Sequence, residues 1–257
     1  MKFRPCIDIH NGKVKQIVGG SLKDTGNQAD ENFVSEQNAD FYANLYKKRG
    51  LKGGHIILLN AVDSEYYEAT KKQAMLALSE YPGGLQIGGG ITDENAMEYI
   101  KAGASHVIVT SYVFKDGAIA YDKLEKISKL VGKDHLVLDI SCRKKDGKYY
   151  VVTDRWQKFT DVEVNAELFY KLAEFCDEFL IHAVDVEGKA KGIEVDVAKI
   201  LGELDNITVT YAGGIGSLED LEDLKNMANG KVDFTVGSAL DIFGGVLDFE
   251  RIASYEW

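Results

Sequence analysis

Gly89-Gly90-Ile91 recurs further along the chain as Gly213-Gly214-Ile215. Three more matches follow in the same order. Cys6-Ile7-Asp8-Ile9 stands against Val137-Leu138-Asp139-Ile140, and Leu59-Asn60-Ala61-Val62-Asp63 against Ile181-His182-Ala183-Val184-Asp185. Thr110-Ser111 stands against Gly237-Ser238. Each pair is separated by roughly 122 to 131 residues, close to half of the 257-residue chain. A single match of short apolar strings could be chance. Four in one order indicate two homologous halves.

Each matched string lies in or just after a short apolar run. Eight such runs read as strands: 5–9, 55–59, 85–87, 106–110, 136–140, 179–184, 208–211 and 234–236. Near-continuous hydrophobicity over so few residues is the pattern of a strand buried on both faces. Amphipathic stretches at 41–49, 70–80, 93–102, 121–131, 166–176, 195–204 and 218–228 read as helices between them. Thr92 and Ser217 stand where helix N-caps belong. Such alternation predicts an α/β fold, a (β/α)8 TIM barrel built from two (β/α)4 halves, as one domain over residues 1–257. A doubly wound open sheet is the alternative, but no linker or composition break divides the chain.

Composition narrows the function. Apolar residues make up 45% and charged residues 28%, a globular and not a disordered balance. Lys and Arg number 30 against 41 Asp and Glu, which argues against a general nucleic-acid binder. No apolar run approaches a membrane span, and the N-terminus lacks a signal-peptide core, so a cytoplasmic protein is expected. The three cysteines, Cys6, Cys142 and Cys176, form no CxxC pair, which excludes a disulfide scaffold and a cysteine zinc site.

In a barrel of this kind functional groups sit at the C-terminal ends of the strands. Asp8 ends the first strand and Asp139 the fifth, so the two carboxylates should face one another across the mouth. A lone Asp there is better read as a helix cap or loop anchor. A pair related by the repeat points to acid and base. Gly89 and Gly90, with Thr110 and Ser111, should form one phosphate cup. Gly213 and Gly214, with Gly237 and Ser238, should form a second, each backed by a helix N-terminus. The competing reading is that these glycines only permit tight turns. Two cups imply a long ligand with a phosphate at each end, and its reactive part between the aspartates.

Two long polar loops are expected at 10–32 and 141–164, as lids or binding loops. Trp156 in the second stacks on a planar ring or anchors the loop. His182 replaces Asn60 in the repeat and could hydrogen-bond a substrate hydroxyl or phosphate. Asp63 and Asp185 are placed to orient loops. His10, His55, His106 and His135 have no metal-ligand spacing, and Cys142 reads as packing. No metal or cofactor is expected. The partner is a small bisphosphate, taken by a monomer without nucleic acid or membrane.

The run Cys6-Ile7-Asp8-Ile9-His10-Asn11-Gly12-Lys13-Val14-Lys15, with Gln86-Ile87-Gly88-Gly89-Gly90-Ile91 and residues 209–215, resembles the half-barrel family of histidine biosynthesis. The resemblance covers nearly the whole chain. That family holds a sugar isomerase and a cyclase. Trp156-Gln157 and residues 179–188 resemble the isomerase branch. The resemblance implies an Amadori rearrangement of an aminoaldose, phosphorylated on both ribosyl groups, to an aminoketose. It implies Asp139 as the general acid that opens the sugar ring and Asp8 as the base that takes the C2 proton. Three positions depart from the common isomerase pattern: His182 stands for Thr, Arg155 for Gly, and Gln16 for Arg. The alternatives are the cyclase, fed ammonia by a glutaminase, and a non-catalytic barrel that binds phosphorylated metabolites.

Overall fold

The computed structural model describes residues 1–17, 31–154 and 156–254. The middle of the expected first loop, and Arg155, lie outside the described residues. Eight parallel strands are present: β1 Cys6–His10, β2 Gly54–Leu58, β3 Leu85–Gly88, β4 Val107–Val109, β5 Leu136–Lys145, β6 Glu178–Ala183, β7 Thr208–Ala212 and β8 Asp233–Phe234. Each pairs with its sequence neighbour. Phe3 pairs in parallel with Phe234, and Arg4 N donates to Phe234 O at 2.8 Å. That contact joins β8 to β1 and closes the ring. Three strands then separate β1 from β5 on either side, as the repeat requires.

The helices among the described residues are α1 Ala39–Lys48, α2 Tyr67–Glu80, α3 Ala96–Lys101, α4 Tyr121–Val131, α5 Ala166–Leu172, α6 Val195–Gly202, α7 Leu218–Met227 and α8 Phe249–Ser254. In α4 the buried residues are Leu124, Ile127 and Val131, an i, i+3, i+7 stripe facing the sheet. Full burial of a Leu or Ile stabilises the fold by about 1.5–3 kcal/mol. None of these helices is long and apolar enough to cross a membrane.

Inside the ring Ile108, Val137, Leu180 and Ala212 form a small core, with Ile57 packed against it. Each comes from a different strand, which is how a barrel interior fills without a pore. Below it, at the N-terminal ends of the strands, Arg4 bridges two carboxylates. Its Nη1 meets Glu178 Oε2 and its Nε meets Asp233 Oδ2, both at 2.7 Å. Gln86 Nε2 adds a bond to Glu178 Oε2 at 2.6 Å. The barrel floor is thus sealed by a paired and hydrogen-bonded charge network.

The described parts of both expected loops form hairpins. β1 turns through Asn11-Gly12 into Lys13–Ile17, which pairs antiparallel with β1 and with Glu31–Val34. β5 runs past the barrel rim and turns through Asp146-Gly147 into Lys148–Thr153, which pairs in turn with Lys158–Glu163. Both turns have positive φ at both central residues, at 51° and 73°, and at 51° and 81°. Asn-Gly and Asp-Gly are the dipeptides that adopt this turn at least cost. Paired strands therefore carry Gln16 and Trp156 to the mouth. Ser217 caps α7 as expected, with Asp220 completing a capping box. Thr92 does not cap α3. A turn intervenes, and Asn95 occupies the N-cap position.

Candidate active site

A cavity of about 920 Å³ opens at the C-terminal ends of the strands. Every residue expected to carry the catalysis or bind the substrate lines it: Asp8, Gly89, Gly90, Thr110, Ser111, Asp139, Trp156, His182, Gly213, Gly214, Gly237 and Ser238. β1 presents Asp8, half-buried, where Gln16 Nε2 from the neighbouring hairpin strand donates to its Oδ2 at 3.2 Å. β5 presents Asp139, which is buried. Three groups point at Asp139. Thr110 Oγ1 donates to Oδ2 at 3.1 Å, Ser141 Oγ to Oδ1 at 3.0 Å, and His182 Nδ1 faces Oδ1 at 3.0 Å. Trp156 Nε1 donates to Ser141 Oγ at 3.0 Å. Its ring lies 6.0 Å from that of His182, and His55 approaches His182 at 6.2 Å. Trp156 has φ 69°, a strained value for a bulky residue, and is held so in the turn between two hairpin strands.

The electrostatics separate the two sides of the mouth. Burial, and then the nearby Glu187 carboxylate, raise the Asp8 pKa from 3.8 to about 7, against the pull of His182 and Gln16. Burial opposes a charge on His182. Asp139, through charge and hydrogen bond, with Glu187 and Asp8, overrides it and raises the imidazole to about 9. Burial and the neighbouring His182 lower His55 to about 3, so it is neutral. Glu187 is raised by burial, and its Oε2 is buried without a hydrogen-bond partner among the described residues. Burial, with Asp139 beside it, pushes the Cys142 thiol well up, which fits its reading as a packing residue.

The two glycine cups differ. Gly89 and Gly90 follow β3 beside Thr110 and Ser111, and Gly90 and Ser111 are exposed. Gly213 and Gly214 follow β7 and are buried under the loop after β6, where Gly192 N donates to Gly214 O at 3.0 Å. A Cβ at Gly214 would collide with the Gly192 carbonyl, and one at Gly89 with the Leu58 backbone. Close backbone packing alone therefore demands glycine at these two positions. Gly90 has more room, since a Cβ there would meet only Val62 Cγ2, at 3.3 Å, but its φ of 70° favours glycine there too. Three expected donors serve other partners. The Thr110 hydroxyl goes to Asp139, and Gly216 N and Ser217 N at the start of α7 both donate to Asp220 Oδ2 at 2.8 Å.

Sequence reading missed Ser141 and Glu187. The Asn60/His182 match, carried a few residues further, sets Glu65 against Glu187 and would have marked it. Asp185 does orient a loop, accepting from Arg143 Nε at 2.8 Å and Lys144 N at 3.0 Å, whereas Asp63 is exposed. Among the described residues, one histidine–carboxylate group is close enough to share an ion: His106, Asp177 and Glu178. It lies at the opposite end of the strands, and Glu178 is already held by Arg4 and Gln86.

Fold and site together define a twofold-repeated (β/α)8 barrel with its polar cavity at the C-terminal mouth, the end where such barrels carry their chemistry. Comparison with known proteins narrows this class. A family profile described as "Histidine biosynthesis protein" matches residues 2–247, and the chain belongs to that family. The chloroplastic 1-(5-phosphoribosyl)-5-((5-phosphoribosylamino)methylideneamino)imidazole-4-carboxamide isomerase of Medicago truncatula is 52% identical, over 99% of this chain and 81% of the relative. Isomerases of the same name from Neurospora crassa and Saccharomyces cerevisiae are 47% and 46% identical, over 95% and 96% of this chain and 93% and 94% of theirs.

Proposed function

We propose that this chain is an aldose–ketose isomerase. It converts the phosphoribosylformimino aminoimidazole carboxamide ribonucleotide, an aminoaldose with two phosphates, to its phosphoribulosyl aminoketose by an Amadori rearrangement. The relatives' names support the substrate. The observation that carries the chemistry is the pair of opposed aspartates in contrasting environments.

Asp139 gives a proton to the ring oxygen of the aminoaldose as the C1–O bond breaks, and a Schiff base forms. Asp8 then takes the proton from C2, leaving the enolamine that becomes the ketose. A base with a pKa near 7 is half ionised at neutral pH and still strong enough to take a carbon-bound proton. The donors around Asp139 fix the orientation of the acid. Gly89, Gly90 and Ser111 on one side, and Gly213, Gly214, Gly237 and Ser238 on the other, grip the phosphates through backbone and hydroxyl groups, while Thr110 lines the first side with its hydroxyl held by Asp139. Remote binding energy then places the reacting carbons. Trp156, at the rim beside His182, stacks on the imidazole ring of the substrate. The chemistry asks for acid, base and positioning, so the reading includes no metal or cofactor.

The reading is of a one-domain monomeric enzyme of the cytoplasm. Three free, buried cysteines support a reducing compartment. Fractionation tests the location and light scattering the oligomeric state. The test of function is to supply the aminoaldose bisphosphate to the purified chain without ammonia or a glutaminase. The aminoketose should accumulate. Absence of product, or turnover only with ammonia and to a cyclised imidazole, would reject the isomerase reading.

A further inference from the structure

The donors around Asp139 raise a question about its proton. A hydroxyl from β4's end, a hydroxyl from β5 and an imidazole from β6 all aim at one carboxyl group. Those donors fix the orientation of the group, and an acid must bring a proton to the ring oxygen through it. The only one of the three donors that carries an ionisable proton at ordinary pH is His182.

We propose that His182 is the proton store of this site, and that its imidazolium and Asp139 act as one acid through the 3.0 Å contact between Nδ1 and Oδ1. The inference rests on the isomerase reading given above. In the first step the Nδ1–H bond breaks and an O–H bond forms at Asp139 Oδ1. Asp139 passes the proton to the ring oxygen as the C1–O bond breaks, its electron pair going to that oxygen. The amine nitrogen's lone pair completes the C=N bond. His182 is left neutral, Asp139 is again a carboxylate, and the positive charge rests on the Schiff base. Solvent reprotonates His182 before the next turnover. Because His182 acts through Asp139, it is a positioning and proton-holding residue.

The surroundings of His182 favour this. Asp139 on β5 touches it, and the charges of Asp139, of Glu187 in the loop after β6 and of Asp8 on β1 all favour its protonated form. His55 faces it from β2 and is held neutral, so it does not compete as a second cation. Trp156, from the hairpin, supports the pair from above through Ser141. His182 is buried, yet it lines the cavity.

The test has two arms. In the ligand-free protein, labelled-histidine NMR should show His182 protonated at pH 7.5 and losing its proton near pH 9. The second arm is the pH profile of His182→Asn, whose amide still donates to Asp139 but stores no proton. Its kcat should fall by about 10²-fold or more, with KM nearly unchanged and the alkaline limb moved to lower pH. A His182 neutral at pH 7.5, or an unshifted alkaline limb with normal kcat, would overturn the inference. So would a raised KM with kcat intact, which is the pattern of a plain substrate contact. If the variant does not fold, the NMR arm decides alone. If the unaltered chain turns over no aminoaldose, the isomerase reading has failed, and NMR still tests the pair.

Discussion

Replacing Asp8 with Asn should make this protein more stable, by an amount that grows with pH. The folded state holds Asp8 at about 7 against an ordinary 3.8. A carboxyl raised in this way binds its proton more tightly in the folded chain than in the unfolded one. Folding stability is therefore lost as pH climbs between those two values, and above pH 7 the whole cost is present. At roughly 1.4 kcal/mol per pH unit the cost approaches about 4 kcal/mol at pH 8, and stays under about 2 kcal/mol at pH 5. These are upper limits, because Asp8 is half-buried and the open mouth screens part of the charge. Asn keeps the size of the side chain, and its carbonyl still accepts from Gln16 Nε2. Urea unfolding of both proteins at pH 5 and pH 8 measures the difference. The account expects a clear gain for Asp8→Asn at pH 8 and a smaller one at pH 5. An equal change at both pH values, or a loss at pH 8, would refute the claim that Asp8 is a strained base in the folded protein.

Other expectations concern the floor, one cup and the tryptophan. Arg4→Ala leaves Glu178 buried without its cation and should cost about 3–5 kcal/mol in urea unfolding; a cost under 1 kcal/mol would show that the floor network is not holding the barrel shut. Ser111→Ala, which removes an exposed hydroxyl at the mouth without straining the backbone, should raise KM several-fold while circular dichroism is unchanged, whereas an unaltered KM would remove that loop from phosphate binding. Trp156→Ala should lower kcat and leave the melting temperature within a few degrees, because the residue is half-buried and its indole N–H is held by the Ser141 hydroxyl alone among the described residues; a large fall in melting temperature would favour a role as loop anchor.

The barrel was legible because parallel strands buried on both faces leave continuous apolar runs, and the repeat placed Asp8 and Asp139 across the ring. The hairpins were not read as such. Their strands are short and several mix polar with apolar residues, as in Lys13–Ile17 and Lys158–Glu163, and only Asn11-Gly12 and Asp146-Gly147 signalled the turns. Thr92 matched the residue type of a cap, yet a turn of three residues stood between it and α3. The cup residues were found by their type, but their partners lie far away in sequence. Thr110 turned out to serve Asp139, and Gly214 to make room for Gly192. Glu187 could have been marked by extending the repeat to Glu65, but its effect on Asp8 follows only from the loop after β6 lying at the mouth.

The central claim is that two opposed aspartates carry the proton transfers of an isomerisation. It is tested most directly by the rate of ketose formation in Asp8→Asn and Asp139→Asn, measured at saturating aminoaldose without ammonia. General acid–base groups typically contribute about 10²–10⁴-fold, so each variant should lose that much in kcat while KM stays within a few-fold. Turnover within tenfold of the unaltered chain, in either variant, would contradict the account.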